Sequence, residues 1–471
     1  MAFATALKIA VVGGGWAGMA AAVQAARQGH AVTVFEAARQ LGGRARALAL
    51  QRPDGIPLTL DNGQHILIGA YTDTLGLMES VGIDLQRALL ALPLGLPFPD
   101  GQGLQTPAWA ARWPAPLDAL AAIARARGWT WRDRSLFLRQ ALAWRLGGFR
   151  CHDEATVAQV CTRLPARVMR DLIEPLCVSA LNLAPAQASG QVFLNVMRDA
   201  LFGRGHRGRP PAHLLLPRLD LSALMPLQAS QWLGARGAQV LTGTRVTALR
   251  PDARPARWVL TAATPAGEGE VDFDRVIWAT AATHAAQAMS RAAGHADKGL
   301  APRLQDWART VAALDHTAIA TVYAWAPGAR LASPLLALRT GPAGPACSAQ
   351  FVFDRAQLHP ADPAMAGVLA FVVSASPDAR DALEQGVLAQ AAAQLGLPGL
   401  RPIRTVIERR ATFACTPGLQ RPAAVIAPGL LAAGDYIDGP YPATIEGAVR
   451  SGQHAVRALS GPVPGDPPAR S

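Results

Sequence analysis

Lys8-Ile9-Ala10-Val11-Val12-Gly13-Gly14-Gly15-Trp16-Ala17-Gly18 opens the chain with a short apolar, β-rich run that breaks into glycines and continues as an Ala-rich helix to Gln28. A second alternating strand follows over Ala31 to Phe35 and ends at Glu36. The glycines fit G-x-G-x-x-G, directly after a strand and at the head of a helix. Gly13 permits the tight turn, Gly15 lets a diphosphate reach the backbone, and Gly18 lets the helix pack against the strand. Phosphates then sit on the helix N-terminus, at Trp16 and Ala17. Glu36 stands where a carboxylate accepts ribose hydroxyls, which points to an unphosphorylated ribose, as in FAD or NAD. A glycine fingerprint alone is weak, but strand, glycines, helix, strand and acid in register make a specific signal for a βαβ dinucleotide-binding unit.

Outward from this unit, Leu41-Gly42-Gly43-Arg44-Ala45-Arg46 separates FAD from NAD. A glycine pair followed by Arg44 brings backbone amides and a guanidinium toward the diphosphate or flavin side, which an extended FAD requires. Strands are expected over 44–50 and 57–60 and a helix over 70–81. From about 84 to 210 the texture changes to Pro-punctuated, Trp- and Arg-rich helical segments. The nucleotide-domain texture returns at about 211, with a helix over 221–235, strands over 238–241, 245–250, 258–263 and 271–273, and a buried strand over 276–280. A second insertion brings strands near 318–325, 349–354 and 368–374 and a helix near 378–395. A short strand leading to Gly434-Asp435 and a helix over about 444–459 close the chain. The reading is an α/β protein: a Rossmann-like, two-dinucleotide-binding FAD domain from 1–83, 211–281 and 415–460, interleaved with an α+β substrate domain from 84–210 and 282–414. The Gly- and Pro-rich residues 461–471 are expected to form a flexible tail.

Composition bounds the rest. At 471 residues, half of them hydrophobic and only 17% charged, the chain can bury more than one core. The net charge of +12 is carried by arginine, since lysine occurs only at Lys8 and Lys298. This is either the habit of a GC-rich genome or a surface that meets anionic lipid; no nucleic-acid partner is expected. Cys151, Cys161, Cys177, Cys347 and Cys415 have no metal-ligand spacing and read as reduced thiols, which favours the cytoplasm, and no metal site is expected. The uncharged stretch from Pro175 to Met197 contains Asn182, Gln187, Gln191 and Asn195 and is too polar to span a bilayer.

Together these motifs resemble the amine oxidase and phytoene desaturase superfamily of flavoproteins. From about 8 to 459 the chain looks like one branch of it, the squalene-associated FAD-dependent desaturases, or hydroxysqualene dehydroxylases. Leu60-Asp61-Asn62-Gly63-Gln64-His65, Glu174-Pro175-Leu176-Cys177, Ala180-Leu181-Asn182 and Tyr441-Pro442-Ala443-Thr444-Ile445-Glu446-Gly447-Ala448 carry the branch resemblance. It implies that Val246 presents its backbone to the adenine, that Gly434 and Asp435 reach the ribityl chain, and that the helix beginning at Thr444 and Ile445 faces the electron-rich edge of the flavin ring. Amine oxidases usually place an aromatic residue and Met where this chain has Thr444-Ile445, so amine chemistry is disfavoured.

The branch resemblance further implies reductive removal of the hydroxyl of hydroxysqualene to give squalene, with reduced FAD as the source of hydride and an unknown electron donor behind it. Such a reaction needs an acid, an apolar tunnel and a water-poor pocket. His65 is the candidate acid and Asp61 its orienter or electrostatic partner, with Tyr441 as a further candidate; a His65 that merely caps a turn or bonds a backbone carbonyl is the alternative. Trp109, Trp113, Trp129, Trp131 and Trp144 alternate with arginines in a region that either packs a helical domain or dips into a membrane interface, where apolar isoprenoids dissolve. An oxidative desaturase or amine oxidase is the rival enzyme, and a non-catalytic lipid carrier the rival of another class.

Overall fold

The computed structural model describes residues 6–264, 267–341, 344, 347–376 and 379–459; the 461–471 tail lies outside the described residues. The opening unit folds as its pattern dictates. Strand β1 (Lys8–Val12) has four consecutive buried residues because it is central, paired in parallel with β2 (Ala31–Glu36) on one side and with Arg275–Trp278 on the other. The six-stranded sheet runs Gln239–Thr242, β2, β1, Arg275–Trp278, Leu430–Ala432, Val425–Ala427, parallel except for its last pair. Its strands come from four separated stretches of chain.

Helix α1 (Trp16–Arg27) covers one face of this sheet and touches the last helix, Ile445–Ala458, at backbone distance. Two glycines permit that geometry. A Cβ on Gly18 would lie 1.9 Å from the Gly13 carbonyl oxygen, so only glycine lets α1 sit this close to the turn after β1. A Cβ on Gly452 would lie 2.2 Å from the Ala17 carbonyl oxygen, so only glycine lets the last helix lie against the first turns of α1.

The second large element is a five-stranded antiparallel sheet in the order Leu335–Ala337, Phe351–Asp354, Val368–Ser374, His316–Trp325, Arg401–Phe413. Its thirteen-residue final strand has no counterpart in the sequence reading, nor do the helices Ala282–Ala293 and Leu300–Ala312. The expected 221–235 helix breaks at Met225, followed by Pro226, into Leu221–Leu224 and Pro226–Gly234. The strand expected from Arg44 starts only at Ala47, as β3 (Ala47–Gln51), which pairs with β4 (Pro57–Asp61); Gly42 and Gly43, both with positive φ, keep the preceding loop out of the sheet.

One expected boundary shifts. Leu85, Ala88 and Leu89, assigned by sequence to the inserted segment, are buried with Met19, Leu75 and Met78 in the core beneath α1. The strand Leu89–Leu92 pairs with Leu214–Pro217, which also pairs with Leu67–Ile68, so apolar burial and sheet pairing hold this stretch to the nucleotide side. Among the described residues no helix is long and apolar enough to cross a membrane.

The helix contact gives the first prediction. Gly452→Ala places a methyl group against backbone that cannot rotate away, so a loss of about 1–3 kcal/mol is expected from overpacking. Urea unfolding checks it, and flavin retained through gel filtration should fall in parallel; wild-type values for both would show that the helices have room to spare.

Candidate active site

A single cavity of about 960 Å³ runs between the two large sheets, at the upper end of the roughly 300–1,000 Å³ found for ligand pockets. Both helix starts open into it: Gly15, Trp16 and Ala17 of α1, and Thr444 and Ile445 of the last helix. The two termini differ in how they are finished. No side chain caps the N-terminus of α1, so its amides and the positive end of its dipole are left for a ligand. The last helix is capped by Thr444, whose hydroxyl accepts from the Gly447 amide at 2.9 Å and donates to the Tyr441 carbonyl at 2.9 Å.

The glycines form a cradle. Gly13 has φ +116°, and a Cβ there would lie 2.6 Å from the Ala279 carbonyl oxygen. Gly15 pairs with Gly42 in a parallel bridge, and the Gly42 amide donates to the Gly14 carbonyl at 2.9 Å, so the two glycine loops present bare backbone side by side. Trp16 ties them together by donating to the Ala45 carbonyl at 3.3 Å. Gly18 itself lies behind the cavity wall, where it sets the packing of α1.

Glu36 lines the cavity with its carboxylate held by the amides of Gly14 and Ala38, each at 2.7 Å. The Thr244 amide donates to the Glu36 carbonyl and the Gly243 amide to the Ala38 carbonyl, both at 2.9 Å, which brings Val246 to the same end of the cavity. Gly43 lines the cavity's middle. Arg44 spans it, donating to the Ala411 carbonyl at 2.6 Å and to Asp435 at 2.5 Å. Asp435 raises the pKa of Arg44, so the guanidinium is charged throughout. Gly434 is fixed by its amide, which donates to Ser451 at 3.1 Å. Uncapped amides, an exposed glycine backbone, an acid and an arginine–aspartate pair in one line fit an extended dinucleotide: diphosphate at Gly15 and Gly43, adenosine ribose at Glu36, and ring system toward Thr444 and Ile445.

The same cavity is also lined by the apolar side chains of Leu94, Leu176, Val192, Val196, Phe351 and Phe353. His65 and Tyr441 both line the cavity; Asp61 does not. The His65 ring is 2.9 Å from the Gly63 carbonyl through Nδ1, and burial lowers its pKa, aided by the nearby charge of Arg44. The imidazole is therefore neutral at neutral pH, with its Nδ1–H donated to Gly63 and Nε2 left for whatever enters. Tyr441 meets Tyr71 edge to face at 6.2 Å, and the Arg450 guanidinium lies 4.5 Å from its ring centre. Burial and the neighbouring Asp199 push the Tyr441 hydroxyl well above its usual range, so it stays protonated.

Asp61, expected as orienter or electrostatic partner of His65, bonds other groups than the imidazole. The Asp61 carboxylate, 2% exposed, accepts from the Leu221 amide at 2.8 Å and pairs with buried Arg355 at 3.4 Å. Burial pushes its pKa up to about 6 against the pull of Arg355 and the amide. Arg355 also donates to Gln64 at 2.6 Å. Asp61 thus fixes the Asn62–His65 loop through Arg355 and Gln64 while its own carboxylate faces away from the cavity.

Sequence reasoning missed Arg355, Asp199 and Glu408. Glu408 lines the cavity and accepts from Asn62 at 3.2 Å, but it sits on the Arg401–Phe413 strand, whose presence the sequence did not betray. Asp199 lies in the helix Gly190–Phe202 with no motif around it. Asn182, singled out only by resemblance, ends the helix Glu174–Leu181 in a left-handed conformation and is buried. Its amide donates to Thr317, Ala318 and Thr412, and its carbonyl accepts from the Ala375 amide, so one side chain pins that helix to two strands and to the residue that follows a third.

Residues 16–460 match the flavin containing amine oxidoreductases, and the chain belongs to that family. It is an α/β, amine oxidase-like FAD-dependent oxidoreductase. It is 29% identical to a hydroxysqualene dehydroxylase of Rhodopseudomonas palustris and 26% identical to one of Sinorhizobium fredii, in each case over 94% of this chain and 96% of the relative. A zeta-carotene desaturase of Capsicum annuum is 35% identical over only 17% of the chain. Among solved structures, an oxidoreductase from Methanosarcina mazei superposes with a TM-score of 0.67 at 16% identity, over 96% of this chain and 100% of that one. Cyclohexylamine oxidase from Brevibacterium oxydans gives 0.63 at 16% identity, over 96% and 98%.

The Arg44 bridge yields a prediction. Arg44→Ala removes charge-assisted hydrogen bonds and leaves Asp435 unpaired, a loss of about 1.5–3 kcal/mol. FAD affinity should fall roughly ten- to a hundredfold with an unchanged circular dichroism spectrum, as read by titrating the apoprotein with FAD. Unaltered affinity would place the diphosphate elsewhere.

Proposed function

We propose that this oxidoreductase removes the hydroxyl group of hydroxysqualene reductively, yielding squalene. The observation that carries the proposal is the set of apolar side chains, Leu94, Leu176, Val192, Val196, Phe351 and Phe353, lining the same cavity as His65, Tyr441 and the last helix start. A long isoprenoid fits against such side chains with its hydroxyl toward His65 and Tyr441. Two near-full-length relatives named hydroxysqualene dehydroxylase support the same reading, whereas the carotene desaturase likeness covers only a short stretch.

Reduced FAD, when bound, supplies the two electrons as hydride. The chain's own residues do the rest. The apolar walls exclude water, so a departing hydroxyl needs a proton from the protein. An allylic alcohol that is protonated loses water to give a delocalised cation, and one hydride then completes the hydrocarbon. His65 and Tyr441 are the two groups positioned to pass that proton. His65 is neutral at rest and must first be protonated, with Nε2 as the donating atom. Tyr441 carries its proton already, with Asp199 at its hydroxyl and Arg450 over its ring. Asp61 acts at a distance, as a positioning residue for the loop that carries His65. The apolar side chains of the cavity suit an alkyl chain, and the near-full-length relatives are named for dehydroxylation, which sets amine oxidation second.

Incubation of holoprotein with hydroxysqualene and dithionite-reduced FAD should give squalene, identified by mass spectrometry; recovery of unchanged alcohol overturns the reading. The two proton donors separate by pH. Because burial lowers the His65 pKa, a reaction that depends on His65 speeds up as pH falls through that depressed value, and the acid limb disappears in His65→Gln. A reaction that depends on Tyr441 is flat from mildly acidic to neutral pH and drops roughly 10²–10⁴-fold in Tyr441→Phe, the usual range for a lost general acid.

A further inference from the structure

Exposed apolar side chains are concentrated on one part of the surface, and it is the part richest in tryptophan. The helix Trp131–Leu146 is capped by Thr130 and Asp133 in a reciprocal box, so its start is fixed. Phe137 and Trp144 point inward and are buried. The opposite side carries Trp131, Leu138, Leu142 and Leu146, which are 78%, 38%, 55% and 80% exposed. The last three recur every four residues and form a single outward stripe. An inner and an outer apolar face on one helix account for its mixed pattern: the inner face builds the core, and the outer one stays exposed among the described residues. Nearby in sequence, Trp109 and Trp113, 60% and 42% exposed, pack edge to face at 4.9 Å.

The charges around this face have one sign. Between Trp109 and Arg150 every exposed charged residue is an arginine, among them Arg112, Arg132, Arg139 and Arg145. The two acids of the stretch, Asp118 and Asp133, are buried, Asp133 in its cap. Tryptophans and leucines framed by arginines, with no exposed acid among them, match the apolar depth and negative headgroups of an anionic bilayer. A soluble partner protein or a second copy would need acidic groups to meet these arginines, and the stretch from Trp109 to Arg150 exposes none.

The face is also joined to the cavity. The helix Gly190–Phe202 lines the cavity with Val192, Val196 and Ala200 and ends at Phe202. Phe202 is partly exposed, meets Phe149 at 5.7 Å and lies under the Arg145 guanidinium at 4.8 Å. One helix thus runs from the cavity wall to the edge of the exposed face. We infer that this face, the Trp131–Leu146 stripe with Trp109 and Trp113, seats the protein on an anionic membrane surface and presents the cavity to substrate dissolved in the lipid. The inference is independent of the particular alcohol reduced.

Co-flotation of the holoprotein with vesicles tests it. Binding is expected to vesicles of mixed phosphatidylglycerol and phosphatidylcholine, to weaken at high salt, and to be much poorer on phosphatidylcholine alone. Leu142→Glu combined with Leu146→Glu, both at exposed positions, should lower the bound fraction roughly tenfold while flavin content and unfolding midpoint stay at wild-type values. Arg139→Glu with Arg145→Glu should abolish the preference for the anionic vesicles. Equal binding of wild type and the leucine variant overturns the inference. So does a dimer seen by light scattering in the wild type and lost in that variant, which would assign the face to a second copy.

Discussion

The close approach of two helices to each other is the constraint on which the site depends. Gly452 of the last helix lies against the Ala17 carbonyl of α1, and Gly18 of α1 lies against the Gly13 carbonyl of the turn after β1. These contacts place two helix N-termini, separated by most of the chain, at two points along one cavity. An extended dinucleotide has negative charge at its diphosphate and, when reduced, at one edge of its ring, so two positive helix ends at that spacing match it. A side chain at either glycine would separate the helices and break the match, although no atom of those glycines need touch the cofactor.

Much of this was legible because it is local. Gly13 through Glu36 forms one strand–turn–helix–strand unit whose parts are a few residues apart, and pattern alone places them. Gly43, Arg44, Gly434 and Asp435 were also readable, and the Arg44–Asp435 ion pair joins two motifs that the sequence offered separately. What stayed hidden is held by partners far away in the chain. The strand Arg401–Phe413 is studded with arginines and alternates poorly; it is a strand because His316–Trp325 pairs along its length. Glu408 and Asp199 reach the cavity from elements with no local signature. Asp61 was readable as important but not in its role, because its partner Arg355 lies nearly 300 residues on.

The Asp61–Arg355 pair also ties the two halves of the molecule. Asp61 ends a strand of the nucleotide side, Arg355 follows a strand of the five-stranded sheet, and Tyr323 of that sheet donates to the Asp61 carbonyl at 2.9 Å. Asn182 makes a second tie between helix and sheet. Breaking one partner of a buried pair leaves an uncompensated charge, commonly worth about 3–5 kcal/mol. The seam behind the His65 loop is therefore a rigid one, and the loop's geometry is inherited from both halves together.

Glu446 shows how such a fold keeps a helix end electropositive despite an acid in its first turn. A carboxylate there would ordinarily offset the dipole. In this protein it is fully buried and turned sideways: it accepts from the amides of Asp73 and Thr74 and from the Thr74 hydroxyl, finishing the start of α2 (Thr72–Ser80), and it is neutralised by Arg450. Its negative charge thus belongs to the neighbouring helix, and the mouth of its own helix remains an attractive place for electron density to accumulate.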